Sequence, residues 1–159
     1  HAKVKFMLAR LPIILLALVL GSPVAMAQER IWNLDQTDQE AFLVFGVPET
    51  DDVGVSFWCI LQSGIVKFYV PETDPDLKLA ESIDFELAVA AKTYPLKGKT
   101  SANEEAGTIS LETELKTADP IFLALQEANR FSVKVGASNN VFPLGEADFA
   151  SLLDACKNP

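Results

Sequence analysis

The sequence predicts a mainly β domain, an antiparallel β-sandwich or partly open barrel with two short helices in its C-terminal third. Three observations predict it. Short apolar stretches recur with turn residues between them, and several alternate apolar with polar residues at the strand period. Helical periodicity is confined to two stretches, near 120–129 and 149–156. No long linker divides the chain, so residues 28–159 read as one domain with one core.

The first 27 residues stand apart from that domain. Lys3, Lys5 and Arg10 precede an apolar run, Leu11–Leu20, broken only by Pro12. Gly21-Ser22-Pro23 ends the run, and Ala25-Met26-Ala27 supplies the small residues of a cleavage site. This is the tripartite pattern of a secretory signal, so residues 1–27 are expected to be removed and the domain to be periplasmic or secreted. A membrane anchor is the alternative, but the run is about half the roughly 20 residues a spanning helix needs. With no cysteine beside the cleavage site and no Arg-Arg pair, the general secretion route is expected. The chain opens on His1, and Met7–Ala27 would also serve as a signal.

Cleavage changes the chemistry that remains. The sole histidine, His1, leaves with the signal. So do Lys3, Lys5 and Arg10, three of the 13 Lys+Arg and none of the 22 Asp+Glu, so 10 bases face 22 acids and the formal charge is −12. That balance argues against nucleic acid and anionic lipid as partners, which call for clustered Lys and Arg.

The domain is read in order as follows. Arg30–Leu34 is a first edge strand and Gln36–Gln39 a turn. Ala41–Val47 is a buried strand stopped by Pro48. After the acidic loop Glu49–Asp52, Val53–Leu61 points Val53, Val55, Phe57, Cys59 and Leu61 to one face. Gln62-Ser63-Gly64 turns the chain into Ile65–Val70, with Val66, Phe68 and Val70 inward and Lys67 outward. A loop over 71–81 follows. Ser82–Val89 and Thr93–Leu96 form a second hairpin around 90–92, and Lys97–Ala106 reads as a polar loop. Thr108–Leu115 sets Ile109, Leu111, Thr113 and Leu115 against Ser110, Glu112 and Glu114, a strand with one wet face. Asp119-Pro120 is an N-cap with proline at the first helical position, and Ile121, Phe122 and Leu125 form the apolar stripe behind it. Arg130–Gly136 and Asn140–Leu144 make a third hairpin through 137–139. The last helix starts near 145–148 and runs to Cys156. Two echoes occur: Val-Pro-Glu-Thr-Asp at 47–51 and 70–74, and an aromatic-Pro-Leu ending at 94–96 and 142–144. They read as repeated local solutions to stopping a strand, since neither has a fixed period.

Cys59 and Cys156 are an even pair in an exported chain, and both lie on apolar faces. A structural disulfide is expected ahead of two buried free thiols, and a redox pair is not expected without a C-x-x-C. Without histidine, Ser-His-Asp and Cys-His nucleophiles and His-ligated metals are excluded from the domain. Phosphate-loop, dinucleotide and nucleophile-elbow motifs are missing from the sequence. Carboxylates remain. Glu49, Asp51 and Asp52 lie in one loop, and Glu72, Asp74 and Asp76 in another. If the loops met, their oxygens would suit Ca2+, although the spacing is not that of an EF-hand; the competing reading is that they are solvated turn formers. A carboxylate-pair hydrolase would need one acid raised in pKa, beside a second carboxylate, in an aromatic cleft. Trp32 and Trp58 are the two tryptophans, and Trp58, opposite Cys59, is expected under a second layer. Glu104-Glu105 form no better pair.

Phe131-Ser-Val-Lys-Val135, Phe142-Pro-Leu-Gly145 and the helical stretch Phe149–Cys156, with Cys59 upstream, resemble exported bacterial domains of the invasion-associated locus B type. The resemblance covers the last 30 or so residues and one cysteine. It implies a periplasmic or envelope-associated β domain, some members being linked to host interaction, and brings no catalytic residue with it. The expected function is therefore non-enzymatic binding of an envelope or host protein, with no cofactor. The alternative is a small carboxylate-dependent hydrolase or a calcium-dependent glycan binder.

Overall fold

Alternation at the strand period, clearest over 53–61, 65–70 and 108–115, turns one face of those strands away from water, and a single sheet satisfies this by curling round its own apolar face. The computed structural model describes residues 28–104 and 106–159. Residues 1–27, where a signal is expected, and Glu105 lie outside the described residues. The strands are β1 (Ile31–Gln36), β2 (Glu40–Gly46), β3 (Val53–Ile60), β4 (Ile65–Val70), β5 (Ser82–Val89), β6 (Lys92–Asn103), β7 (Thr108–Lys116), β8 (Arg130–Val135) and β9 (Ser138–Pro143). Helix α1 (Pro120–Glu127) joins β7 to β8, and α2 (Phe149–Cys156) follows β9. All pair antiparallel in one sheet of order β1-β2-β3-β4-β7-β6-β5-β8-β9. Of the two architectures expected, this is the partly open barrel: one curled sheet, not two facing ones.

The inward residues behave as their alternation requires. Val55, Phe57 and Cys59 of β3, and Val66, Phe68 and Val70 of β4, are buried, as are Leu111 and Leu115 of β7. Phe57 sits at the centre, with ring centroids 4.6 Å from Phe68 and 4.9 Å from Phe149. Trp32, Phe122 and Phe131 surround it at 6.2–6.4 Å. Both helices pack on this concave face. Asp119 caps α1 by accepting from the Ile121 N–H at 3.0 Å, and Ile121, Phe122 and Leu125 are buried, as the stripe predicts. Asp148 caps α2 through the Ser151 N–H, and Phe149, Leu152 and Cys156 are buried.

Cys59 and Cys156 form the disulfide, with Cα atoms 5.8 Å apart and a sequence separation of 97. It ties the end of α2 to β3. Beside it the Gln62 N–H donates to the Ala155 carbonyl and the Gly64 N–H to the Cys156 carbonyl, so the β3–β4 turn is bonded to the helix end.

Three expectations are corrected. Lys97–Ala106 is not a loop, because β6 continues to Asn103. Its polar residues are held as a strand by two neighbours: β5 pairs with 92–99 and β7 with 99–103. Inward Thr100 is buried, with its hydroxyl donating to the Lys78 carbonyl at 2.6 Å. Pro95 is tolerated because its stretch of β6 pairs only with β5. Second, the β8–β9 turn is Gly136-Ala137 instead of 137–139, and Val135 pairs with Ser138. Gly136 supplies the left-handed residue of this turn at φ 56°. Third, among the described residues no second layer covers Trp58. It is half-buried on the convex face, stacked with Phe42 at 6.0 Å and covered by the Lys67 ammonium at 4.7 Å.

Candidate functional site

A sheet that curls without closing leaves two edge strands, and unpaired backbone groups there must meet water, side chains or a partner. Here the edges are β1 and β9. They approach at one point, where the Trp32 indole N–H donates to the Pro143 carbonyl at 2.6 Å and Phe45 meets Phe142 edge-on at 6.1 Å. Trp32 thereby serves the core and the seam instead of a ligand.

Along β9, inward Phe142 is buried and its neighbour Val141 points the other way, 61% exposed. Val141 pairs with Ser132 of β8, which pairs in turn with Ala88 of β5. These small side chains floor a groove of about 610 Å³ on the outside of the sheet, walled by Glu127, Asn129 and Arg130. Val141 also lines a smaller hollow of about 200 Å³ at the seam, with Arg30, Gly54, Glu72 and Asn140. One exposed apolar side chain on an edge strand thus stands between two depressions. The 140–144 stretch was legible as a strand. Its edge position was not, because strand order depends on pairings between residues far apart in sequence. The available signal was Val141 between the polar Asn140 and inward Phe142.

The six carboxylates singled out from the sequence lie at one end of the sheet, in the β2–β3 loop and in the β4–β5 loop that begins beside it. The shared pentapeptide folds differently in the two. In the first, Thr50 bonds back to the Val47 carbonyl, Glu49 takes φ 61°, and Asp51 is exposed. Asp52 is paired with Arg30, whose Nε lies 2.8 Å from Oδ1. In the second, Thr73 donates its hydroxyl to the Ile109 carbonyl at 2.6 Å, and Glu72 faces the seam. Asp74 is buried; it accepts from the Ala137 N–H at 2.7 Å and the Asp76 N–H at 2.9 Å. The Ala137 bond, then the Asp76 bond, hold its carboxyl below the ordinary 3.8, and burial opposes them. Asp148 is shifted the same way, first by the Ser151 N–H. Both shifts run opposite to the raised pKa of a general acid. Among the described residues no group of three or more His, Cys, Asp or Glu is placed to hold a metal ion. Glu104 follows β6, and its sequence neighbour Glu105 lies outside the described residues.

The sequence matches no protein-family model and no curated protein. Among solved structures it is similar to the crystal structure of invasion associated protein B from Bartonella henselae, at 14% identity and TM-score 0.48, covering 80% of this chain and 92% of that one. That protein is of the type which the 131–156 motif resembles. At this level the likeness carries no argument about function.

Proposed function

We propose that the chain is an exported, non-enzymatic β-domain whose β9 edge binds another protein, at the envelope or on a host. The observation that carries this reading is Val141, 61% exposed on a strand that, among the described residues, is the edge of the sheet, beside a groove floored by small side chains. Such an edge offers main-chain hydrogen bonds to an added strand, with an apolar anchor to set its register. A buried disulfide is compatible with an oxidising compartment. Among the described residues no helix is long and apolar enough to cross a membrane.

The test is a photo-crosslinking residue at position 141 in the exported protein in intact cells, with a control at Glu86 of β5. A discrete protein adduct from 141 and none from 86 is expected. Val141→Ala then weakens binding of the adduct partner up to about tenfold, the value of roughly 1–1.5 kcal/mol of lost apolar burial, with thermal stability unchanged. No adduct from 141, or the same adducts from both positions, overturns the reading. The alternative, a carboxylate-dependent hydrolase or calcium-dependent glycan binder, has less support, since Asp52 is engaged by Arg30 and Asp74 by two N–H groups. A rise in melting temperature with millimolar Ca2+, lost in Asp51→Asn, would favour it.

A further inference from the structure

We propose that export leaves Gln28 as the N-terminal residue and that Gln28 closes into pyroglutamate. The inference rests on the export reading, because an internal glutamine has no α-amine to react. Ala25-Met26-Ala27 directs cleavage to the bond before Gln28. The structure supplies the second requirement, that this residue be free to fold on itself. Gln28, Glu29 and Arg30 are exposed and precede the strand ladder, which begins at Ile31. The last side-chain tether on this stretch is the pairing of Arg30 with Asp52, two residues inward, and the first buried anchor is Trp32.

The step is an intramolecular acyl transfer. The α-nitrogen lone pair attacks Cδ of the same residue, and an N–Cδ bond forms in a five-membered ring. The Cδ–Nε2 bond breaks, and Nε2 departs as ammonia with a proton given up by the amine. No oxidant, reductant or co-reactant is consumed. The product is a neutral lactam, so the domain loses the positive charge of its terminus. It also loses the free amine that aminopeptidases need, at the point where trimming would otherwise reach edge strand β1.

The test uses the full chain, leader included, recovered from the compartment to which it is exported, with intact mass and N-terminal peptide sequencing. A chain that starts at residue 28 and is lighter by one ammonia is expected. It should resist a general aminopeptidase until treated with pyroglutamate aminopeptidase. Gln28→Ser should start at the same residue, carry its full mass and be trimmed directly. A chain that starts at Gln28 and keeps the full mass after prolonged incubation at neutral pH overturns the cyclisation and leaves export standing. A chain that starts elsewhere overturns the assignment of residue 28, and one that retains its leader overturns both this inference and the export reading.

Discussion

Asp74 accepts two backbone N–H groups, one from its own loop and one from the β8–β9 turn, and so ties together segments 63 residues apart in sequence. Because its folded pKa lies below the ordinary 3.8, the stability it contributes is fully present above that value and is lost as pH falls through the folded pKa. Asp74→Asn should therefore lower the melting temperature at pH 7, and parent and variant should converge at a pH below the folded pKa. Thermal melts between pH 7 and 2 measure it; a constant difference across that range would refute the role. From sequence this residue was one acid among six, fit for a turn or an ion site. Its N–H partner on Ala137 is a tertiary contact that local pattern does not encode. Asp119 was easier to read, since a helix N-cap is satisfied within three residues of the chain.

At the scale of the element, two tight turns make the same demand and meet it with different residues. Gly136 takes φ 56°, and a Cβ built there would lie 2.5 Å from the Asp74 Oδ2. Ala90, in the β5–β6 turn, takes φ 52° with a Cβ present. Gly136→Ala should cost more than about 1 kcal/mol, from the backbone strain and the displaced carboxylate together, and Ala90→Gly should gain up to about 1 kcal/mol. Urea denaturation of the two variants against the parent checks both signs. Strand β6 shows why polar stretches mislead. Lys97, Lys99 and Ser101 carry no apolar alternation, yet β5 holds the first part of this stretch in a ladder and β7 the second, the two meeting at Lys99. Gly98 lets that ladder come close, since a Cβ there would meet Leu111 at 2.5 Å. Strands β3, β4 and β7, by contrast, each carry three or more inward apolar or buried residues at spacing two, and were read to within a residue or two.

For the whole molecule, the disulfide spans 97 residues and joins the last helix to a central strand. Replacing both cysteines by alanine should lower stability by about 3–5 kcal/mol, measured by urea denaturation. Native protein should show no titratable thiol, because both sulfurs are in the disulfide, and their burial should slow reduction until the chain unfolds. The charge of the molecule is also distributed by the fold. On the outer face acids and bases alternate and pair, as in Asp84–Lys97 and Glu112–Lys67. Sequence alone determined the β class, both helix starts and the pairing of the cysteines, because each depends on residue type and short-range spacing. Only the tertiary structure decided that there is one curled sheet instead of two, that Trp32 and Trp58 are packed side chains, and that Val141 stands on an open edge. Those outcomes depend on which strands become neighbours, and that choice is made by burying one shared core, a property of the whole chain and of no single stretch.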